Sequence, residues 1–401
     1  MPWPLRMLAR LIFPLILGIY LFVAWRFSRA ITVLSGIPPW KIRLAVIAGV
    51  GYLNLLPILI WGAYLTGNGS RLFLHRPTTT LADYLITFPY WFGLILVVEV
   101  FPYFLTLEGL AWLLRLFPFS AGINLRMWKS ALQVIIVIAV AGYVGARLYL
   151  DTFRVQIREV SVSVPHLPRE LTDLRMAFFS DLQVDRYTRG SKLQRFESCW
   201  EEMSPDVVLF GGDLITHGQQ FISPAAEALC RIHPPAARFA CMGDHDYWAN
   251  PRRVAGELSR CGWEFLEDRH MTFAYRGHTV LVTGITHIYS RPLSPAQLHQ
   301  LLKNAPPAEV KILLVHQPAE RVIQAARQYG YHLVLAGHTH GGQIVFRPFG
   351  FSLTPTQIEN TFYSGYYEYE GMPVIVTNGI GLTLAPVRYH APAEIVRIRL
   401  K

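Results

Sequence analysis

Charge is scarce in this sequence: Asp, Glu, Lys and Arg make up only 16% of its 401 residues, against 52% apolar residues. That imbalance excludes an ordinary soluble composition and points to membrane-spanning segments. Acidic residues are nearly missing from positions 1–150, which hold Asp83, Glu99 and Glu108 against twelve Lys and Arg, whereas positions 151–401 hold 24 against 25. The formal net charge of +10 therefore belongs to loops flanking apolar runs, where it reads as topology and anionic-lipid contact. Nucleic-acid binding, which calls for a basic face on a folded domain, is not expected. Cysteine is also rare. Cys199, Cys230, Cys241 and Cys261 form no C-x-x-C pair and no zinc-knuckle spacing, and alone they carry no signal. They read as small buried apolar residues, with disulfides permitted if this half faces an oxidising compartment. Internal repeats and low-complexity tracts are absent, which excludes a solenoid.

What is present in the first half is a set of long apolar runs. Residues 8–27, 42–66, 84–106 and 130–150 each approach the roughly 20 apolar residues that cross a bilayer core. The expectation is an α-helical transmembrane region of about four spans over 1–150. The first run ends in Arg26 and Arg29 without a small-residue cleavage site, so it is not a cleavable signal peptide. The third carries Pro89, Glu99, Pro102 and Glu108, and the stretch Leu110 to Phe119 after it reads as interfacial or as a fifth span. Glu99 is expected near the end of its span, with its carboxylate reaching headgroups. Ionisable groups within the runs are few, which disfavours transport. Arg26, Arg29, Lys41, Arg43, Arg115, Arg126 and Lys129 fall on one set of loops and Arg6, Arg10, Arg71 and Arg76 on the other. By the positive-inside rule both termini and the second half lie outside the cytoplasm.

Near Asp151 to Arg158 the text changes character and a second domain, over 155–401, begins. Residues 155–164, VQIREVSVSV, alternate as a strand does. Farther on, short apolar runs end in reactive residues: Arg175 to Ser180 before Asp181 and Gln183, Asp206 to Gly211 before Asp213, Arg238 to Met242 before Gly243 to Asp246. Lys311 to Val315 precede His316, and His332 to Ala336 precede Gly337 to Gln343. In open α/β sheets, loops at strand C-terminal ends converge on one crevice. The tail, residues 363–371, 374–381 and 394–400, alternates like paired strands, with Asn378, Gly379 and Gly381 in a turn.

Carboxylates and imidazoles without thiolates suit Mn, Fe or Zn in a reactive rather than a structural site. Seven or eight ligands fit two metals better than one; a pair about 3.5–4 Å apart can hold a phosphoryl oxygen and supply hydroxide. His338 and His340, one residue apart in an extended loop, point to different sides. Asp185 is read as a solvated loop residue or an extra ligand. Arg186, Arg189 and Lys192 are read as a solvated loop or a phosphate contact, His217 as a loop residue, and Tyr247 and Trp248 as cleft wall or packing.

These residues resemble the calcineurin-like metallophosphoesterase superfamily, in its membrane-associated phosphohydrolase branch, over about residues 170–401. The family pattern of D-x-H, G-D, G-N-H-D, an isolated H and G-H-x-H stands here as Asp181-Leu182-Gln183, Gly212-Asp213, Gly243-Asp244-His245-Asp246, His316 and Gly337-His338-Thr339-His340. The resemblance implies a four-layer αββα sandwich after the helical region, with two divalent metal ions. Asp213 would bridge them, Asp181, Gln183 and His340 would complete the first position, and Asp244, His316 and His338 the second. His245 would protonate the leaving group, with Asp246 orienting its ring. Gln183 stands where the family has His, and Asp244 where it has Asn, which weakens the first position and adds charge to the second. The implied activity is hydrolysis of phosphate esters, phosphodiesters or pyrophosphates, lipid-linked or cell-envelope substrates among them. The competing reading, motivated by the same two departures, is a metal-binding, catalytically weak module of a membrane receptor or scaffold.

Overall fold

The computed structural model describes residues 3–67, 78–117 and 124–401, with side chains from residue 14 onward. Arg71, Arg76 and the end of the stretch Leu110 to Phe119 lie outside the described residues. Two compact units emerge, a helical one that includes residues 346–352 and a mixed α/β one.

The helical unit contains α1 (Trp3–Ser35), α2 (Pro39–Leu53), α3 (Leu55–Leu65), α4 (Phe88–Leu114, entered through the π-helical turn Asp83–Thr87) and α5 (Leu125–Phe153). Pro39 opens α2 at the one helical position where a missing N–H costs nothing. Among the described residues three helical segments, Pro14–Ser35, Asp83–Leu114 and Leu125–Phe153, are long and apolar enough to cross a membrane. The pair α2 and α3, bent by 61°, makes a fourth if it is one span. The core of this unit, with Tyr20, Val23, Val100 and Phe104, is small, while Leu21, Ile47, Trp61 and Ile138 face outward. Such helices satisfy their own backbone and need apolar surroundings. Glu108 is paired with Arg26 at 3.3 Å and Lys129 at 2.9 Å. Glu99 is buried and accepts the backbone N–H of Arg347; its position inside the unit replaces the headgroup contact expected from its place near a span end.

The α/β unit is built on two six-stranded mixed sheets. The first takes β1 (Val155–Val162), β2 (Arg175–Phe179), β3 (Val207–Phe210), β4 (Ala237–Ala240), β5 (Glu264–Phe265) and, from the chain end, β12 (Ala393–Leu400), in the order β1-β12-β2-β3-β4-β5. The second takes β6 (Arg269–Tyr275), β7 (His278–Ile285), β8 (Val310–Val315), β9 (Leu333–Ala336), β10 (Gly365–Tyr369) and β11 (Met372–Val376), in the order β10-β11-β9-β8-β7-β6. Neighbours β2 to β5 run parallel, as do β7, β8, β9 and β11. Helices link them: α6 (Ser191–Met203), α7 (Ile222–Cys230), α8 (Asp244–Ala249), α9 (Pro251–Ser259), α10 (Pro295–Lys303), α11 (Glu320–Gln328) and the short α12 (Thr356–Glu359).

Alternation explains the continuous apolar runs. Met176 and Phe178 of β2 join Ile312 and Leu314 of β8 in a core shared by both sheets. Ala177 and Phe179 turn the other way, onto Phe196 of α6, Ala225 of α7 and Leu258 of α9. Leu313 and Val315 of β8 pack on Leu298 of α10 and Ile323 of α11. Strands covered on both faces have no polar side to show.

Cys230 at the end of α7 and Cys261 after α9 form a disulfide with Cα atoms 5.5 Å apart, one of the pairings the sequence left open. Cys199 and Cys241 are free and buried. The bridge closes a loop of 31 residues, a cross-link worth about 4 kcal/mol through the unfolded chain. Removing it with Cys230→Ser and Cys261→Ser together is expected to lower the unfolding midpoint by several degrees, read by differential scanning fluorimetry. An unchanged midpoint would mean the bond is not formed.

Candidate metal centre

At the C-terminal ends of β2, β3 and β9 the chain leaves the sheet through unusual backbone. Asp181, Gln183, Asp213, His338 and His340 have φ of 51°, 41°, 62°, 71° and 51°. A positive φ on a non-glycine residue costs energy and is retained where neighbours enforce it, commonly at functional sites. The enforcing contacts are backbone hydrogen bonds between loops: Asp181 N to Gly212 O at 2.8 Å, Gln183 N to Asp213 O at 3.0 Å and Gly337 N to His316 O at 2.9 Å. The turn at Asn378 to Gly381 buttresses the same place, since the N–H groups of Ile380 and Gly381 both donate to the Asp181 carbonyl. Two glycines are required by close approach. A Cβ on Gly243 would lie 2.1 Å from Asp213 Oδ1, and one on Gly337 2.0 Å from Ser180 Oγ and 2.6 Å from Asp181 Oδ2. Gly337→Ala is therefore expected to displace Asp181 and the His338 loop and to lower metal affinity at least about tenfold; calorimetric titration with Mn would show it, and unaltered affinity would refute the tight approach.

Asp213, Asp244, His316 and His338 come together. His316 Nε2 lies 3.4 Å from Asp213 Oδ2 and 3.7 Å from Asp244 Oδ2, and His338 Nδ1 is 3.2 Å from Asp244 Oδ2. His316 donates from Nδ1 to the Gly211 carbonyl at 2.7 Å. Its buried Nε2 is left without a hydrogen bond, aimed at the carboxylates. A ring held by one nitrogen so that the other offers its lone pair is the arrangement of a metal-ligating histidine. The charge balance agrees. Burial alone would favour neutral His316, but Asp213, Asp181 and Asp244 outweigh it and raise its pKa well above the ordinary value. The pocket thus has negative charge to spare, which a divalent cation neutralises as it displaces the proton. The donors therefore fit a metal, and two overlapping groups, Asp244/His316/His338 and Asp181/Asp213/His316, each bring ligand atoms within 4.8 Å of one another.

Asp181 and His340 face each other, Oδ1 to Nε2 at 3.5 Å, and Asp181 Oδ2 accepts the His338 N–H at 3.0 Å and the Ser180 hydroxyl. Gln183 departs from the ligand role expected of it: its amide nitrogen donates to Asp213 Oδ2 at 3.0 Å, and its oxygen faces the Thr216 hydroxyl at 3.5 Å. The Thr216 hydroxyl lies closer to the backbone carbonyls of Gln183, at 3.0 Å, and Leu382, at 3.1 Å.

His245 lies beside this cluster. Its backbone N–H donates to Asp213 Oδ1 at 2.8 Å and its Nδ1 meets the Thr216 carbonyl at 2.5 Å, and its ring centroid lies 5.2 Å from that of His217 and 5.0 Å from that of Trp248. The expected Asp246 contact with the His245 ring is replaced by this carbonyl. Asp246 occupies the third position of α8, from which its carboxylate caps the backbone N–H groups of Gly243 at 3.1 Å and of Asp213 and Leu214 at 2.8 Å. Burial and the charge of Asp213 push Asp246 up to about 7 against those three donors. Its work is to hold the Asp213 loop.

Other side chains separate clearly. Asp185 closes a turn by accepting the N–H groups of Tyr187 and Thr188. Lys192 is fully buried, so it is no contact for a dissolved phosphate. The Tyr247 hydroxyl oxygen accepts from the Arg291 guanidinium at 3.1 Å, whereas Trp248 is exposed. Residues that sequence reasoning did not assign include Gln317, whose amide donates to Asp244 Oδ2 at 2.8 Å, and Tyr289, whose backbone N–H donates to Asp244 Oδ1 at 2.9 Å. Gln317 adjoins His316 and was within reach; Tyr289 has no motif around it.

Residues 174–342 match the calcineurin-like phosphoesterase family. These residues are a calcineurin-like phosphoesterase domain. Such domains use divalent metal ions, in keeping with the clusters above. An uncharacterized metallophosphoesterase of Aquifex aeolicus is 24% identical over 266 residues, covering 65% of this chain and 98% of that protein. A transmembrane protein with metallophosphoesterase domain from Danio rerio is 31% identical over 288 residues, covering 69% of this chain and 63% of its own length. Among solved structures, an archaeal phosphodiesterase is 12% identical with a TM-score of 0.30, covering 51% of this chain and 84% of that one; a likeness of that size adds nothing to the assignment. The phosphoesterase domain here follows a region of apolar helices.

Proposed function

We propose that the chain is a membrane-tethered, metal-dependent phosphohydrolase whose α/β unit is layered αββα. The observation that carries this reading is the buried, unbonded His316 Nε2 aimed at Asp213 and Asp244, with His245 anchored to the same Asp213. Asp213, Asp244, His316 and His338 hold the cation, and this set of two carboxylates and two imidazoles suits Mn, Fe or Zn. When bound, a divalent ion there polarises the phosphoryl group and acidifies water. The protein's own part is orientation and proton transfer. Gln317 and Tyr289 fix Asp244, Asp246 fixes the Asp213 loop, and His245, its Nδ1 on the Thr216 carbonyl, presents Nε2 to the departing oxygen. A binding module has no need of a proton donor so placed, which favours hydrolysis over a scaffold role.

Apolar groups around the loops support a substrate with an aliphatic portion, lipid-linked or from the cell envelope. Trp248 stands against His245 and is 58% exposed. Leu384, 91% exposed, adjoins Ala385, whose carbonyl takes the Gln343 amide after His340. Ile358, 67% exposed, adjoins Glu359, the partner of Tyr289. The basic loops of the first half and the Cys230–Cys261 bond favour an extracytoplasmic α/β unit. The test is a Mn-dependent assay of the full chain in detergent on a phosphodiester, a phosphomonoester and a lipid pyrophosphate. Turnover that chelation abolishes and Mn restores is expected, fastest on the lipid pyrophosphate; no bound metal and no turnover on any of the three would overturn the reading.

A further inference from the structure

We infer that the centre holds one divalent cation rather than two, because Arg388 closes the first position. The inference rests on the hydrolase reading and deepens it. Arg388 is fully buried. Its guanidinium donates to the carbonyls of Gly381 at 3.0 Å, Ala391 at 3.0 Å and His340 at 3.2 Å, and it meets His340 Nδ1 at 3.2 Å. The Thr152 hydroxyl oxygen accepts the Arg388 backbone N–H at 2.8 Å and fixes where the side chain starts.

A guanidinium has five donors, no acceptor and no neutral form in a protein. His340 Nδ1 can therefore only accept, and a ring that accepts at Nδ1 carries its hydrogen on Nε2. Nε2 is the atom that faces Asp181 Oδ1. It presents an N–H there, where a metal ligand must present a lone pair. The other two histidines are held in the opposite sense. His316 gives its Nδ1 hydrogen to Gly211 O and keeps the Nε2 lone pair. Tyr289 gives its hydroxyl hydrogen to Glu359, so its oxygen, 3.3 Å from His338 Nε2, accepts from that nitrogen and leaves Nδ1 free beside Asp244.

Gln183 acts in the same direction, since its amide N–H donates to Asp213 Oδ2. The first position is thus lined by N–H donors at His340 Nε2 and Gln183, with the buried Asp181 Oδ1 as its one unbonded acceptor. Charge follows the same division. One divalent ion balances Asp213 and Asp244, while Asp181 is attracted to the permanent charge of Arg388. The residues present do not fit the second metal of a dinuclear centre.

The test is metal content of the full chain, purified in detergent, loaded with Mn and desalted, by plasma mass spectrometry, with electron paramagnetic resonance alongside. One Mn per chain with the six-line spectrum of an isolated ion is expected. His340→Ala is expected to keep that stoichiometry with affinity changed less than about threefold, and His316→Ala to lose the ion. Two Mn per chain with an exchange-coupled spectrum, or a loss of more than about tenfold in affinity in His340→Ala, would overturn the inference and leave hydrolysis standing. Zero Mn in the unmodified chain would overturn both. Should His340→Ala fail to fold by circular dichroism, the stoichiometry of the unmodified chain decides.

Discussion

Replacing His316 by alanine is expected to remove the bound cation and to lower turnover about a thousandfold. The ring is fully buried, is fixed by the Gly211 carbonyl and contributes the one lone pair that faces both Asp213 and Asp244. Without it the two buried carboxylates repel each other, and the cation loses a nitrogen donor. Lewis-acid stabilisation of a phosphoryl transition state amounts to several kcal/mol, and about 4 kcal/mol corresponds to the rate loss named. Metal content and kcat should fall together while the far-ultraviolet circular dichroism holds. A variant that keeps its metal and its rate would place the centre elsewhere.

His245→Asn should behave differently. The side chain touches neither Asp213 nor the other ligands through its ring, since only its backbone N–H meets Asp213, so metal content is expected to stay as it was. Turnover is expected to fall about 100- to 10,000-fold on an alkyl phosphate ester, the range for losing a placed general acid. On a nitrophenyl ester the loss should shrink to a few fold, because that leaving group departs as a stable anion without a proton. An equal loss on both substrates would mean that His245 shapes the site and does not donate.

Much of this was open in the linear sequence because the reactive residues sit directly after apolar runs, and runs buried on both faces cannot be mistaken for solvent-exposed strands. The strands before Asp181, Asp213, His316 and His338 fall within a residue or two of their expected bounds. The hairpin of β6 and β7 did carry a signal, an Arg276-Gly277 turn with positive φ at both residues between alternating segments, but it lies away from the motifs. What could not be read is long-range. Arg388 reaches His340 from 48 residues away, and Thr152 holds Arg388 from 236 away; no local spacing encodes either contact. Asp246 looked like a partner for its neighbour His245, yet helix geometry turns it to the backbone N–H groups at the start of α8. Gln183 occupies a ligand position by order alone, and only its meeting with Thr216 and Asp213 reveals which end of the amide faces inward.

The most direct measurement is anomalous diffraction at the manganese edge from crystals of the full chain grown with Mn. A single peak in bonding contact with Asp213, Asp244, His316 and His338, and no second peak beside Asp181 and His340, is the expected result. A peak outside that cluster, or none at saturating Mn, would contradict a metal-dependent centre at these residues.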